Sequence, residues 1–210
     1  ALHDPNALPG CTEAARRIQA AIDDGRRIVV YGDYDVDGIT GTALLLQCIR
    51  MLGGNVGYYV PHRIDEGYGL NHEAIESLAG DGAKLIITVD CGICSVDEAA
   101  TASRLGVELI ITDHHELGER LPDAAAVVHP RLPGSSYPFG GLSGSGVAFK
   151  LAWALCQQAS QAKRVSDRMR TFLLEATGLA SLGTVADMVP LVDENRVLVT
   201  HGLVSLKQRQ

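Results

Sequence analysis

Five short runs of β-branched and aliphatic residues recur along the first 130 positions, at 27–31, 56–60, 84–89, 108–112 and 125–128. The run Leu85-Ile86-Ile87-Thr88-Val89 shows no polar alternation, as expected of a strand covered on both faces. Stretches with helical period lie between them, at 40–52, 71–79, 96–105 and a shorter 116–120, and their lengths suit right-handed crossovers. The pattern predicts an α/β fold: a central, mainly parallel five-stranded sheet with helices on both faces. From Pro130 to Gly146 the chain turns to Pro, Gly and Ser, a loop by composition. Helical segments at 147–158, 166–176 and 179–192 then predict a helical C-terminal part. We therefore expect one domain over 1–192, its sheet part reaching about residue 130. Residues 193–210 read as the start of a connecting helix. A start at Ala1 rather than Met, and an end without a cap, lead us to expect a piece of a longer protein.

Composition narrows the classes. With 210 residues, 46% apolar and 20% charged, the chain has ample material for a core and is neither a disordered tail nor a coiled coil. No apolar run approaches the roughly 18 residues of a membrane span, so no membrane association is expected. The five cysteines are scattered and odd in number, which suits reduced thiols in a cytoplasm. Cys91-Gly-Ile-Cys94 is the single CxxC, and without a second ligand pair it reads as two ordinary thiols. A net charge of −7 argues against a basic nucleic-acid binder.

The densest chemical signal is Gly32-Asp33-Tyr34-Asp35-Val36-Asp37-Gly38, three carboxylates at every second residue between a buried strand and a helix. Carboxylates this close repel one another, and keeping them ionised calls for a divalent cation. An EF-hand loop begins the same way, but its twelfth position needs a bidentate Glu and here is Leu44. Two more predicted strands end in similar chemistry: 84–89 delivers Asp90, and 108–112 delivers Asp113-His114-His115. In an open parallel sheet all strand carboxyl ends face one crevice. Asp33, Asp35, Asp37, Asp90, His114 and His115 can therefore converge. Mixed carboxylate and imidazole donors suit manganese, cobalt, iron or zinc. The surplus of carboxylates suits two ions about 3.5–4 Å apart, a device for in-line attack on phosphorus.

Four segments carry a resemblance. Gly32 to Gly38, Val89-Asp90-Cys91-Gly92, Thr112-Asp113-His114-His115 and Gly183-Thr184-Val185-Ala186-Asp187 resemble, in order, the motifs of the DHH phosphoesterase superfamily. The likeness is greater to its single-strand-specific 5′→3′ exonucleases, through His3-Asp4-Pro5, Tyr59-Val60-Pro61-His62-Arg63, Glu66-Gly67-Tyr68-Gly69-Leu70, Gly146 to Lys150 and Asn195-Arg196-Val197-Leu198. The resemblance implies the DHH catalytic domain of a two-metal hydrolase that releases 5′-mononucleotides from single-stranded DNA in repair and recombination. It implies Mn²⁺ at two sites, with Mg²⁺ or Co²⁺ as substitutes, and helicase and single-strand-binding protein as partners. Asp35, Asp37, Asp90, His114 and Asp187 match the family's metal ligands, with Asp90 in the bridging place. His115 matches the residue facing the substrate phosphate, and Asp113 would orient the imidazoles. The family also implies a further C-terminal domain and an OB-type module.

One position departs. Pyrophosphatase relatives carry His four residues before the first ligand Asp, where this chain has Tyr31. This argues against a pyrophosphatase and leaves Asp33 to complete one metal site. Hydrolysis of oligoribonucleotides, cyclic dinucleotides or polyphosphate is the alternative activity, and a metal-free scaffold the alternative class. For the substrate phosphate we expect Arg63 after the second strand, the N–H groups of Gly144, Ser145 and Gly146 ahead of a helix, and Lys150 one turn further. The stretch Gly140 to Gly146 is neither a P-loop nor a dinucleotide fingerprint. Six of the 25 acidic residues fall in the motifs, and two divalent ions would raise −7 to about −3. The acidic total is thereby reconciled with a phosphate substrate.

Overall fold

The computed structural model describes residues 1–62, 67, 69–162 and 164–208. After a 3₁₀ turn (Pro5–Ala7) come helix α1 (Cys11–Asp23), β1 (Ile28–Gly32), α2 (Val36–Met51), β2 (Val56–Tyr59), α3 (His72–Gly80) and β3 (Leu85–Val89). Then follow α4 (Val96–Arg104), β4 (Glu108–Thr112), β5 (Ala126–Val128), α5 (Gly144–Ser160), α6 (Asp167–Ala186) and α7 (Asp193–Lys207). The five strands form one sheet in the order β2-β1-β3-β4-β5, every pairing parallel, with Ile28 opposite Leu85 and Ile87 opposite Ile110.

Period-two alternation along the central strands sorts the helices into two layers. Ile28 and Val30 of β1 with Leu85, Ile87 and Val89 of β3 face α1, α2 and α5, packing on Ile18, Leu45 and Leu151. Val29, Tyr31, Ile86, Leu109 and Ile111 face the other way, onto Ile75 and Leu78 of α3 and Ala99 and Ala102 of α4. Helix α6 packs outside α2 and α5, and α7 packs on α6.

The five strands match the expected ones within a residue or two, and the sheet is parallel throughout. Three expectations are corrected. Residues 116–120 are not helical: Cys94 Sγ and Arg131 Nη1 bond the Glu116 carbonyl and carboxylate, drawing this segment onto its neighbours as a loop. The separate helices 166–176 and 179–192 are one helix that runs through Gly178 and ends at Ala186. Gly178 is tolerated there because Leu206 of α7 lies against it, where an added Cβ would sit 3.3 Å away. Third, α1 lies ahead of the first expected element, although Ala14, Ile18 and Ala21 occupy one buried face at helical spacing.

An ion pair sits in the helical layer. Lys150 and Glu194 are fully buried, with Nζ 2.7 Å from Oε1. Glu194 also accepts from His3 N at 2.9 Å and from the Tyr137 hydroxyl, and Lys150 donates to the His3 carbonyl. The N-terminal segment, α5 and α7 are thus fastened at one point. Removing one member strands a buried charge, at a cost of about 3–5 kcal/mol. Lys150→Met is expected to lose that much unfolding free energy in urea titrations.

A second charge cluster ties α1 to the sheet. Glu108 accepts from Arg17 Nη1 at 2.6 Å and Arg26 Nη1 at 2.9 Å. Burial raises its pKa, but the two guanidinium bonds outweigh burial and leave it below the usual value. A lowered folded pKa gives stability that is present above the unfolded value, near 4.3, and lost as pH falls through the folded one. Glu108→Gln should flatten the acid side of the melting temperature against pH, measured between about pH 5 and 3.

Candidate metal centre

Strand topology delivers the site. β1, β3 and β4 are adjacent and parallel, so their carboxyl ends open at one sheet edge. Past β1, Asp33 stays in sheet register, its N–H donating to the Val89 carbonyl at 3.1 Å, and is buried. Asp35 is the N-cap of α2, its Oδ1 accepting from Gly38 N at 2.9 Å. Helix α2 begins four residues before the expected 40, which puts Asp37 in its first turn, fully buried. Past β3, Asp90 is buried in the left-handed region at φ 64°, a strained conformation for a residue with a side chain. Past β4 come Asp113, His114 and His115. Asp187 caps the C-terminal end of α6.

These residues meet. His114 Nε2 lies 3.0 Å from Asp90 Oδ1, 3.6 Å from Asp187 Oδ2 and 3.9 Å from Asp37 Oδ2. Three overlapping triads each present donor atoms within 4.8 Å of one another: Asp37, His114 and Asp187; Asp90, His114 and His115; Asp33, Asp35 and Asp90. Asp90 and His114 are each shared by two of the triads.

The electrostatics fit a divalent cation. Without one, burial and then the charges of Asp37 and Asp35 push the Asp90 carboxyl up to about 10. Burial also raises Asp33 and Asp187. His114 Nε2, Asp187 Oδ2 and Asp33 Oδ1 are buried with no hydrogen-bond partner. Such atoms are costly unless a ligand satisfies them. The carboxylate and imidazole set matches what borderline divalent ions accept.

Neighbouring groups hold this arrangement. Asp37 accepts from the N–H of Gly144 at 2.6 Å and of Ser145 at 2.9 Å, the first residues of α5, so a helix N-terminus faces its carboxylate. Asp113 accepts from the N–H groups of Ile93, His114 and His115 and from His115 Nδ1 at 2.7 Å. Burial raises Asp113, yet these bonds prevail and its pKa falls below the usual carboxylate value. The His115 bond to Asp113 raises the imidazole in turn. His115 keeps 43% side-chain exposure and walls a cavity of about 580 Å³ with Ile93, Glu98 and Glu116.

Several expected residues lie elsewhere. Gly144 and Ser145 spend their N–H groups on Asp37, and Gly146 N bonds Ser143 Oγ at 3.2 Å, so this helix start serves a protein carboxylate rather than a phosphate. Lys150 points into the core toward Glu194 and cannot reach the crevice. Arg63 lies outside the described residues. Tyr31 is fully buried, its hydroxyl donating to the Gly69 carbonyl at 3.0 Å and its ring stacked on Tyr59. All five cysteines are free thiols.

Two residues absent from the sequence reading brace the histidine turn. His129 Nε2 lies 2.9 Å from the His115 carbonyl, and its Nδ1 accepts from Arg131 N, which leaves the proton on Nε2 to donate. Arg131 Nη2 donates to the His114 carbonyl at 2.6 Å. The available signal was that His129 follows the fifth strand at the same sheet edge.

A parallel α/β domain whose sheet edge presents clustered carboxylates and histidine is of the class that can hold divalent cations. The DHH family, N-terminal domain, matches residues 27–177, and the chain belongs to the DHH family. The single-stranded-DNA-specific exonuclease RecJ of Bacillus subtilis is 47% identical over 206 residues, 98% of this chain and 25% of that protein. RecJ of Dickeya dadantii is 42% identical, over 98% of this chain and 36% of that protein. A crystal structure of exonuclease RecJ bound to manganese superposes with a TM-score of 0.82 at 40% identity, over 94% of this chain and 48% of that one. RecJ of Thermus thermophilus in complex with Mn²⁺ gives 0.78 at 38% identity, over 94% and 27%. This chain spans between a quarter and about a third of these curated relatives.

Close approach around the carboxylates is itself testable. A Cβ on Gly144 would lie 2.4 Å from Asp90 Oδ1. Gly144→Ala is expected to weaken Mn²⁺ binding about 10–100-fold, as loss of an outer support does, with the circular dichroism unchanged. Gly57→Ala, whose Cβ meets nothing within 4 Å, should bind as the parent does in the same calorimetric titration.

Proposed function

We propose that the chain is the catalytic DHH domain of a manganese-dependent exonuclease that removes 5′-mononucleotides from single-stranded DNA. The observation that carries this reading is the convergence of Asp37, Asp90, His114 and Asp187 from three strand ends and one helix end. The 47% identity to a single-stranded-DNA-specific exonuclease supports the choice of substrate. The catalytic domain covers residues 1–192 with the buried first turns of α7 packed into it, and the rest of α7 leads on to the remainder of a longer enzyme. Repair and recombination in the cytoplasm, alongside helicase and single-strand-binding protein, is the setting that suits it. No described helix is long and apolar enough to cross a membrane.

Asp37, Asp187 and His114 would hold one ion, and Asp33 and Asp35 the other, with Asp90 between them. Tyr31, turned away into the core, leaves the second set to these carboxylates. Two bound divalent ions supply a nucleophile from water near neutral pH and screen the phosphoryl oxygens. Mn²⁺ suits the mixed donors, and Mg²⁺ or Co²⁺ can occupy the same set. Asp113 holds His115 by Nδ1, which leaves Nε2 to face a scissile phosphate. The complete donor set argues against a metal-free scaffold.

The test incubates the protein with Mn²⁺ and a 5′-labelled single strand, the same strand as duplex, and pyrophosphate. Release of labelled mononucleotide from the single strand alone is expected. Asp90→Asn should cut that rate more than about 100-fold, beyond the usual loss of an outer support, while retaining its fold by circular dichroism. Full activity in Asp90→Asn, or hydrolysis of pyrophosphate in preference to DNA, overturns the reading.

A further inference from the structure

We propose that Asn195 is a positioning residue whose side-chain amide ties together the two loops that aim Asp37 and Asp187 at the metal centre. The inference rests on the reading of that centre as a divalent-metal site. Asn195 is in the first turn of α7, fully buried, and touches neither carboxylate. Its Nδ2 donates to the Gly141 carbonyl at 2.6 Å and to the Pro190 carbonyl at 3.0 Å. Both partners only accept, so the amide orientation is fixed: NH₂ toward the loops, Oδ1 away. That Oδ1 is buried with no hydrogen-bond partner. The side chain is therefore set for its two donors at the expense of its acceptor, an arrangement that helix formation alone does not call for.

Each tethered carbonyl lies three residues from a metal-site element. Gly141 leads through buried Leu142 and Ser143 to Gly144 and Ser145, whose N–H groups hold Asp37. Pro190 follows Asp187 by way of Met188, which sits at φ 59° with 88% of its surface exposed and adds no packing to hold the segment. One NH₂ group thus fixes the spacing between the cradle of Asp37 and the tail of Asp187. Asn195 is itself held by its neighbour Glu194, which Lys150, His3 and Tyr137 fasten into the core. Asn195, which opens the segment Asn195-Arg196-Val197-Leu198, thereby gains a role at the site.

The experiment measures Mn²⁺ affinity of the full chain by calorimetry, with hydrolysis followed across a Mn²⁺ titration. Asn195→Leu keeps the γ-branched shape and removes the donors. The control is Leu198→Ala, which opens a cavity in the core on the same helix. Asn195→Leu is expected to weaken Mn²⁺ binding about 10–100-fold and to recover most of its rate at saturating Mn²⁺. Leu198→Ala should lower the melting temperature at least as much while keeping Mn²⁺ affinity within about twofold. Should Asn195→Leu not fold, Asn195→Ala carries the same comparison. Parental affinity in the Asn195 variant, or an equal loss in Leu198→Ala, overturns the positioning role. Absence of saturable Mn²⁺ binding in the parent chain overturns the metal reading on which it stands.

Discussion

Repulsion among buried carboxylates governs this molecule. Asp33, Asp37 and Asp90 are each at most 2% exposed and meet at one sheet edge together with Asp187. Removing such charges from water is opposed by desolvation and by their own mutual field. The fold answers in two ways. Asp37 faces the N–H groups that open α5, and Asp113 gathers three backbone N–H groups and an imidazole. At Asp90 burial and repulsion prevail instead, and its carboxyl is pushed up to about 10. A protein that leaves its central carboxylate in that condition is built around a cation.

The architecture follows from where those answers must come from. With the order β2-β1-β3-β4-β5, the ends of β1 and β3 are neighbours, so Asp33, Asp37 and Asp90 cannot avoid each other. After β5 the chain returns, and α5 starts directly over them. That approach requires positions without side chains. A Cβ at Gly144 would overlap the Asp90 carboxylate, and one at Gly183 would lie 2.3 Å from both Asp37 Oδ1 and Ser145 Oγ. Helix α6 can then bring Asp187 to the same point. The helical C-terminal part is thus the fourth wall of the centre rather than an appendage to the sheet.

Strand positions, the parallel sheet and the six converging residues Asp33, Asp35, Asp37, Asp90, His114 and His115 were legible in the sequence, because strand ends and carboxylate spacing are local signals. What was not legible depended on direction. Gly144 and Ser145 were rightly seen as a helix start with free N–H groups, but sequence does not say whether a phosphate or Asp37 will face them. Lys150 sits further along the same helix, far enough round to carry its side chain from the crevice into the core, where Glu194 waits 44 positions away. Gly178 weakens the helical pattern locally, whereas contact with Leu206 of α7 lets α6 run through it. His129 and Arg131 belong to no motif, since their role is to hold carbonyls of a turn.

Buried charged groups elsewhere in the chain sharpen the reading of the centre. Lys150, Glu194, Tyr137 and His3 form a closed set in which each charge has a partner within hydrogen-bond reach. Glu108 is closed by two arginines. Ser143, Ser145 and Thr184 satisfy one another beside the carboxylates, at 3.1 and 3.2 Å. Against that background, Asp187 Oδ2 and Asp33 Oδ1 are carboxylate oxygens buried within the cluster with no hydrogen-bond partner. Carboxylate oxygens left open beside so many paired acids are the ones that a bound cation would satisfy. The catalytic reading therefore rests on the pattern of satisfied and unsatisfied groups as much as on the motif that first drew attention to it.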